Sequence, residues 1–257
     1  MKTLDYDLVA VGGGTAGLVS AAGAAYLGAK PALIERHALG GDCLWTGCVP
    51  SKALIASARL AQAMRDAERL GLHGQAPAFA FETVMERMRS ARARVAHHDD
   101  PERFRAMGVD VHFGSAHFVG PDTVEVEGVG RIRSRRIVLA TGARPVVPPI
   151  PGLDTVDPLT HESVFDLDVL PGRLLILGAG PIGLEFAQVF RRLGSQVTVL
   201  EMAEQILPRE DADVATAVLD ALRAEGIELE LGAQVTAAAT RDGAVALSTH
   251  DGRTFEG

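Results

Sequence analysis

Cysteine is scarce in this sequence: 257 residues hold only Cys43 and Cys48. That excludes a secreted disulfide framework, and in a reducing compartment a close pair points to catalysis or metal binding. Metal ligation is poorly served, because four residues separate the cysteines and His37 is the sole candidate ligand close by. No metal site is expected. Positive charge is also short: the formal net charge of −8 argues against a nucleic-acid polyanion as the main partner. No apolar run is long enough to cross a bilayer. Residues 1–7 are polar and lead into a strand, unlike a signal peptide. A cytoplasmic location without membrane or nucleic-acid partners is the expectation. Hydrophobic residues make up 47%, which supports substantial cores, and the length suits one large or two ordinary domains.

Residues 40–52, Gly-Gly-Asp-Cys-Leu-Trp-Thr-Gly-Cys-Val-Pro-Ser-Lys, hold both cysteines. On one regular helix, two positions five apart diverge by about 140°, whereas a disulfide needs its Cα atoms roughly 4.4–6.8 Å apart. A bridge therefore needs a tight, irregular turn, which Gly47 permits. Pro50 is tolerated in a first helical turn, so Cys48 is placed near a helix N-terminus, where a thiolate is favoured. Two buried free cysteines, or a structural bridge, are the alternatives.

Upstream, residues 5–11 read as a buried strand. Gly12-Gly13-Gly14-Thr15-Ala16-Gly17 then supplies G-x-G-x-x-G, a helix runs to Leu27, and a strand at 30–35 ends in Glu35. Glycines let backbone amides approach a pyrophosphate at a helix N-terminus, and the acid accepts from a ribose hydroxyl. The pattern returns downstream. A strand at 173–177 leads into Gly178-Ala179-Gly180-Pro181-Ile182-Gly183, a helix runs through Leu193, and a strand at 196–200 precedes Glu201. First glycine and acid lie twenty-three positions apart in both copies, 12 to 35 and 178 to 201. Two such units take two dinucleotides, or one dinucleotide beside a vestigial site. Glu201 with no arginine directly after it favours NAD over NADP, unless Arg209 folds back.

Between the copies, helices are expected at 49–70 and from 81 to about 105. The second is arginine-rich (Arg87, Arg89, Arg92, Arg94, Arg103, Arg105) and reads as a solvated face, with His97 and His98 exposed. A strand at 109–113 is followed by short antiparallel strands at 116–119, 123–126 and 131–133. A buried strand at 136–140 runs into the small-residue turn Thr141-Gly142. The proline-rich stretch 145–158 reads as a stiff connector. After the second copy come a helix at 213–224 and strands at 228–231, 235–239 and 244–248.

Two dinucleotide fingerprints flanking a Cys-x4-Cys-Val-Pro-Ser-Lys segment and an Ala-Thr-Gly turn resemble the flavoprotein pyridine nucleotide–disulfide oxidoreductases. Dihydrolipoamide dehydrogenase, glutathione reductase and mercuric reductase belong to that family, and the likeness covers essentially the whole chain. It implies an α/β fold of two Rossmann-like dinucleotide-binding domains, FAD then NAD(P), each a parallel sheet with helices plus a small antiparallel sheet. Residues 1–150 would form the FAD-binding domain and 151–257 the NAD(P)-binding domain. By that likeness, Gly12, Gly14, Ala16 and Gly17 hold the FAD pyrophosphate segment and Glu35 its ribose. Gly41 and Asp42 lead the chain past the cofactor, Ala116 meets the adenine, and Thr141-Gly142 lies near the flavin. Gly178, Gly180, Pro181, Ile182, Gly183 and Glu201 form the NAD site, with Val235 near its adenine. Cys48 would be the thiol beside the flavin and Cys43 the thiol that exchanges with substrate, its pKa depressed. Lys52 would lie near the flavin's reactive nitrogen, with Glu185 as its carboxylate partner.

The activity implied is transfer of a hydride from NAD(P)H through FAD to a Cys43–Cys48 disulfide, and on to a disulfide, dithiol or metal-thiol acceptor. An NADH oxidase or diaphorase without cysteine chemistry, and a non-catalytic nucleotide-binding fragment, are the competing readings. Against the family pattern, a C-terminal dimerisation domain is expected to be missing, and none of the eight histidines stands in the context of the family's acid–base histidine. The expectation is a fragment with little complete turnover, whose full-length form is a homodimer.

Overall fold

The computed structural model describes residues 3–257. They fall into two compact units, one made of residues up to 50 with 89–144, the other of 51–88 with 145–257. The expected division kept 1–150 together; by packing, the segment 51–88 groups with the second unit instead.

The first unit opens with β1 (Thr3–Asp5), β2 (Leu8–Val11), α1 (Thr15–Tyr26), β3 (Pro31–Glu35) and a short α2 (Gly41–Trp45). Two helices, α3 (Cys48–Arg65) and α4 (Phe81–Ala96), run across the division between the units. Then come α5 (Pro101–Ala106), β4 (Asp110–Phe113), β5 (Ala116–Phe118), β6 (Thr123–Val126), β7 (Gly130–Arg133) and β8 (Ile137–Leu139). The order β4-β3-β2-β8 makes a four-stranded sheet, parallel throughout. Its strands read as near-continuous apolar runs because both faces are covered. Alternation decides which side chain faces which layer. Ala10 and Leu33 point to α1 and α5, packing with Leu18, Ala21 and Phe104. Val9, Ala32 and Ile34 point the other way, onto Val124, Val126 and Ile132 of the small sheet.

That small sheet departs from expectation. Residues 5–11 are not one strand: β1 leaves the central sheet and pairs in parallel with β7, so the order β1-β7-β6-β5 is mixed. The helix expected over 81–105 is broken. It ends at Ala96, a 3-10 turn covers His97–Asp99, and α5 restarts at Pro101, with the Asp100 carboxylate accepting from the Glu102 N–H at 2.7 Å. Proline cannot continue a helix from within but suits a first turn, and Asp is a good N-cap. Likewise the expected helix 49–70 is α-helical only to Arg65 and tightens into a 3-10 turn over Asp66–Leu70.

In the second unit, β9 (Arg173–Leu177), α6 (Pro181–Leu193), β10 (Gln196–Leu200), α7 (Ala212–Ala224) and β11 (Glu228–Glu230) follow the connector. They give a parallel sheet in the order β11-β10-β9. An antiparallel sheet, β12 (Val235–Arg241), β13 (Ala244–Thr249) and β14 (Thr254–Glu256), completes the unit. Leu200, Ala238 and Leu247 form a shared core with Leu153, which the connector delivers in a 3-10 turn. The apolar face of α6 buries Leu184, Ala187, Phe190 and Leu193. Residues 51–88 join this unit through particular contacts: the Arg65 guanidinium donates to the Arg192 carbonyl at 2.7 Å, and the Phe81 and Phe190 rings are 6.4 Å apart. Among the described residues, no helix is long and apolar enough to cross a membrane.

Gly12 holds the first turn together at φ +111°, and a β-carbon there would fall 2.1 Å from the Ala140 carbonyl oxygen. Gly12→Ala is expected to destabilise the chain by at least about 3 kcal/mol, combining a forbidden backbone with a clash. Gly23, inside α1 and facing open space, is the control: Gly23→Ala is expected to add roughly 0.5–1 kcal/mol. Urea denaturation midpoints of the two variants check both signs.

Candidate functional site

The turn from β2 to α1 is shaped by backbone contacts. The Gly12 N–H donates to the Ile34 carbonyl at 2.8 Å, and a β-carbon at Gly17 would fall 1.8 Å from the Gly12 oxygen. The N-cap of α1 is Gly14, which offers no side-chain hydrogen bond, and no acid occupies the first turn. The orphan N–H groups of that turn, around Ala16, and the positive end of the helix are therefore left for an external anion. Glu35 closes the turn. Its Oε2 accepts from the Gly13 N–H at 2.6 Å, and its Oε1 from Arg36 and His37 at 2.7 and 2.9 Å. The carboxylate holds its own loop, with further lone pairs for a ligand hydroxyl. A cleft of about 380 Å³ runs past Gly12, Glu35, Ala116, Thr141 and Gly142, so these five residues, scattered over 130 positions, share one wall.

The second unit repeats the arrangement. Gly178 N–H donates to the Leu200 carbonyl at 2.9 Å. The N-cap of α6 is Gly180, again without a side-chain bond, with Pro181 in the first turn and no acid there. Glu201 is buried, its Oε2 accepting from the Ala179 N–H at 2.7 Å and its Oε1 from Ala203 at 2.9 Å. Gly178, Gly180, Pro181, Ile182 and Gly183 line a cleft of about 650 Å³. Val235 is half-buried and packs against the core cluster of Leu200 and Leu247.

Between Glu35 and α3 the chain doubles back on the first cradle. The Gly40 N–H donates to the Gly13 carbonyl at 2.8 Å. A β-carbon at Gly41 would fall 2.6 Å from the Gly14 Cα. The short α2 starts at that contact and carries Asp42 in its first turn. Thr46 N–H then closes on the Asp42 carbonyl at 2.9 Å, and Gly47 lets α3 start close by, since a β-carbon there would fall 2.7 Å from the same carbonyl oxygen. Gly47 thus serves close approach between backbones. The result is that Cys43 and Cys48, both exposed and not joined in a disulfide, are hydrogen-bonded side by side, and the Cys48 N–H also donates to the Cys43 sulfur. As the first residue of α3, Cys48 has an N–H with no helical acceptor.

One electrostatic expectation is overturned. The Cys43 thiol is pushed up, not down: partial burial of the sulfur is the main cause, followed by the hydrogen bond to Cys48, with the Asp99 carboxylate adding to it. Cys43, His98 and Asp99 line one cleft of about 350 Å³. The arginine-rich helix is also more than a solvated face. Arg87, Arg92, Arg103 and Arg105 each donate to a backbone carbonyl, of Ala53, Trp45, His98 and Val111 respectively. No periodicity in the sequence signals those partners.

Within the second unit, the Lys52 ammonium donates to both Glu185 oxygens at 2.8 Å. Their side chains are 58% and 42% exposed, so the pair adds at most about 1 kcal/mol. It joins positions 133 apart in sequence.

Comparisons with known proteins point in one direction. Residues 6–257 match the family described as pyridine nucleotide-disulphide oxidoreductase. Among curated relatives, a mercuric reductase of Bacillus cereus is 36% identical over 89% of this chain and 36% of its own length. A dihydrolipoyl dehydrogenase of Bacillus subtilis is 35% identical over 90% of this chain and 51% of its own. A glutathione reductase of Burkholderia cepacia is 34% identical over 100% and 56%. The chain thus spans between about a third and just over half of these relatives. Among solved structures, the HOCl-induced flavoprotein disulfide reductase RclA from Escherichia coli superposes with a TM-score of 0.83 at 32% identity, over 98% of this chain and 54% of that one.

A raised Cys43 pKa sets a direction for reactivity. Alkylation of Cys43 by iodoacetamide, followed by peptide mass spectrometry, is expected to keep rising above the pH at which a free cysteine peptide levels off. In Asp99→Asn the inflection is expected to move down, with a gain of about twofold at pH 8.

Proposed function

Because this chain belongs to the pyridine nucleotide-disulphide oxidoreductase family, we propose that it is the nucleotide-binding and dithiol-bearing part of a flavin-dependent enzyme that reduces a disulfide or metal-thiol acceptor at the expense of NAD(P)H. One observation carries the reading: two adjacent thiols docked, through Gly40 and Gly41, on an uncapped glycine turn. Residues 1–150 are assigned to FAD and 151–257 to the nicotinamide dinucleotide.

The residues present fit both groups. A diphosphate suits each uncapped helix start, where only glycine allows the approach, and the acids Glu35 and Glu201 stand ready for ribose hydroxyls. FAD would be held by Gly12, Gly14, Ala16, Gly17, Glu35, Gly41, Asp42, Ala116, Thr141 and Gly142. The dinucleotide would be held by Gly178, Gly180, Pro181, Ile182, Gly183 and Glu201. Glu201, with Met202 following it, supports NAD over NADP. When bound, the two cofactors supply reducing equivalents as hydride; Lys52, steadied by Glu185, is assigned to the flavin's polar edge.

The chain's own sulfur chemistry follows. As a disulfide, Cys43–Cys48 takes up two electrons and two protons and becomes the dithiol seen here. Cys43, once deprotonated, attacks a sulfur of the acceptor disulfide, forms a mixed disulfide and releases one thiol. Cys48 then attacks Cys43, releases the second thiol and restores the bridge. Because the Cys43 pKa is raised, the share of reactive thiolate at neutral pH is lowered. On the same resemblance we propose a homodimer as the assembly and the cytoplasm as the location.

The test uses the oxidised chain, incubated without oxygen with FAD and NADH and then alkylated to count thiols. Appearance of two thiols per chain that needs both cofactors is expected, and Cys43→Ser should show none of that gain while still binding FAD in equilibrium dialysis. Wild-type chain that binds neither cofactor, or gains no thiols, contradicts the proposal.

A further inference from the structure

The helix that delivers Cys43 has little means of holding itself. With five residues, α2 forms hardly any i→i−4 bonds, and the last four carbonyls of any helix lack partners within it. Its N-terminal end is fixed by Gly40 and Gly41 against the first glycine turn. Its C-terminal end is Trp45, the sole tryptophan of the chain, three residues before Cys48 and two after Cys43. Trp45 is held at three points. Its indole N–H donates to the Leu39 carbonyl at 2.9 Å. Its own carbonyl, one of the orphans, accepts from the Arg92 Nη1 at 3.2 Å. The Arg92 guanidinium also lies over the indole, with Cζ 5.7 Å from the ring centroid. All these residues belong to the first unit.

We infer that Arg92 is a positioning residue for the cysteine pair, its guanidinium clamping Trp45 so that the turn from α2 to α3 keeps the two sulfurs within bonding reach. This rests on the reading that Cys43 and Cys48 cycle between dithiol and disulfide. A planar guanidinium satisfies the carbonyl and the indole face together, which an ammonium does less well. Holding two reacting groups in place raises their effective concentration. A looser turn therefore weakens the internal disulfide relative to an external one.

The reaction to measure is balanced. Two protein thiols and one oxidised glutathione give one protein disulfide and two reduced glutathiones; the protein loses two hydrogens and the glutathione disulfide gains them. The 257-residue chain is equilibrated in glutathione buffers of graded ratio, acid-quenched and alkylated, and its thiols are counted by mass. Arg92→Met is expected to lower the equilibrium constant for the internal disulfide about tenfold, a potential about 30 mV less negative. Arg92→Lys should lower it about threefold. Arg94→Met is the control, because Arg94 is exposed on the same helix and its guanidinium donates within that helix, to Ser90 at 2.9 Å; its constant should match the wild type. Circular dichroism confirms that each variant is folded, and if Arg92→Met is not, Arg92→Lys decides.

A folded Arg92→Met chain with the wild-type constant, or Arg92→Lys equal to wild type where it must decide, overturns the clamp while leaving the redox couple intact. A wild-type chain that takes up glutathione without forming the internal bridge overturns the redox couple, and the clamp with it.

Discussion

Two backbones without side chains meet at Gly14 and Gly41, and the site depends on that meeting. A β-carbon at Gly41 would fall 2.6 Å from the Gly14 Cα. Because neither residue has one, α2 begins where α1 begins. The first helix start offers uncapped amides to an anion, and the second carries Asp42 and Cys43 past it. Any side chain at Gly41 pushes the cysteine turn away from the nucleotide cradle. On the proposed function, nucleotide binding and thiol exchange are therefore coupled by a steric condition rather than by a bond.

The same logic is written twice. In each unit a glycine turn after the first strand of the βαβ segment bends under the carbonyl of the next strand, and a glutamate at the end of that strand folds back to hold the turn's amide. The copies also differ. Gly12 is packed against Ala140, whereas a β-carbon at Gly178 would meet nothing within 4 Å, and Glu201 is buried while Glu35 is partly exposed. One fingerprint thus gives two clefts of different size, about 380 and 650 Å³, from the same backbone rule.

Much of this was legible in the sequence. The two fingerprints, the strand and helix flanking each and the acids at fixed distance follow from patterns that carry their own physical reasons; the Lys52–Glu185 pair came only from the family resemblance. What was not legible depended on tertiary partners. The departure of β1 from the central sheet is decided by pairing with β7, 128 positions away for Thr3 and Leu4 alike, between residues with no local signal. The helix α2 is too short for periodicity to reveal. The direction of the Cys43 shift depends on burial and on Asp99, which a helix-terminus argument for Cys48 does not contain. The arginines of α4 and α5 read as a charged surface because sequence spacing shows faces, whereas Arg87 and Arg92 of α4 donate to carbonyls brought in from distant positions.

The account stands on sulfur proximity set by the α2–α3 turn. The most direct measurement is oxidation of the folded chain with one equivalent of diamide, followed by alkylation and mass mapping of tryptic peptide 37–52, which contains both cysteines. The account predicts that this peptide loses two hydrogens and takes no alkyl group, with the chain still monomeric. Chains cross-linked to one another, or a peptide that still alkylates at Cys43 and Cys48, would contradict it.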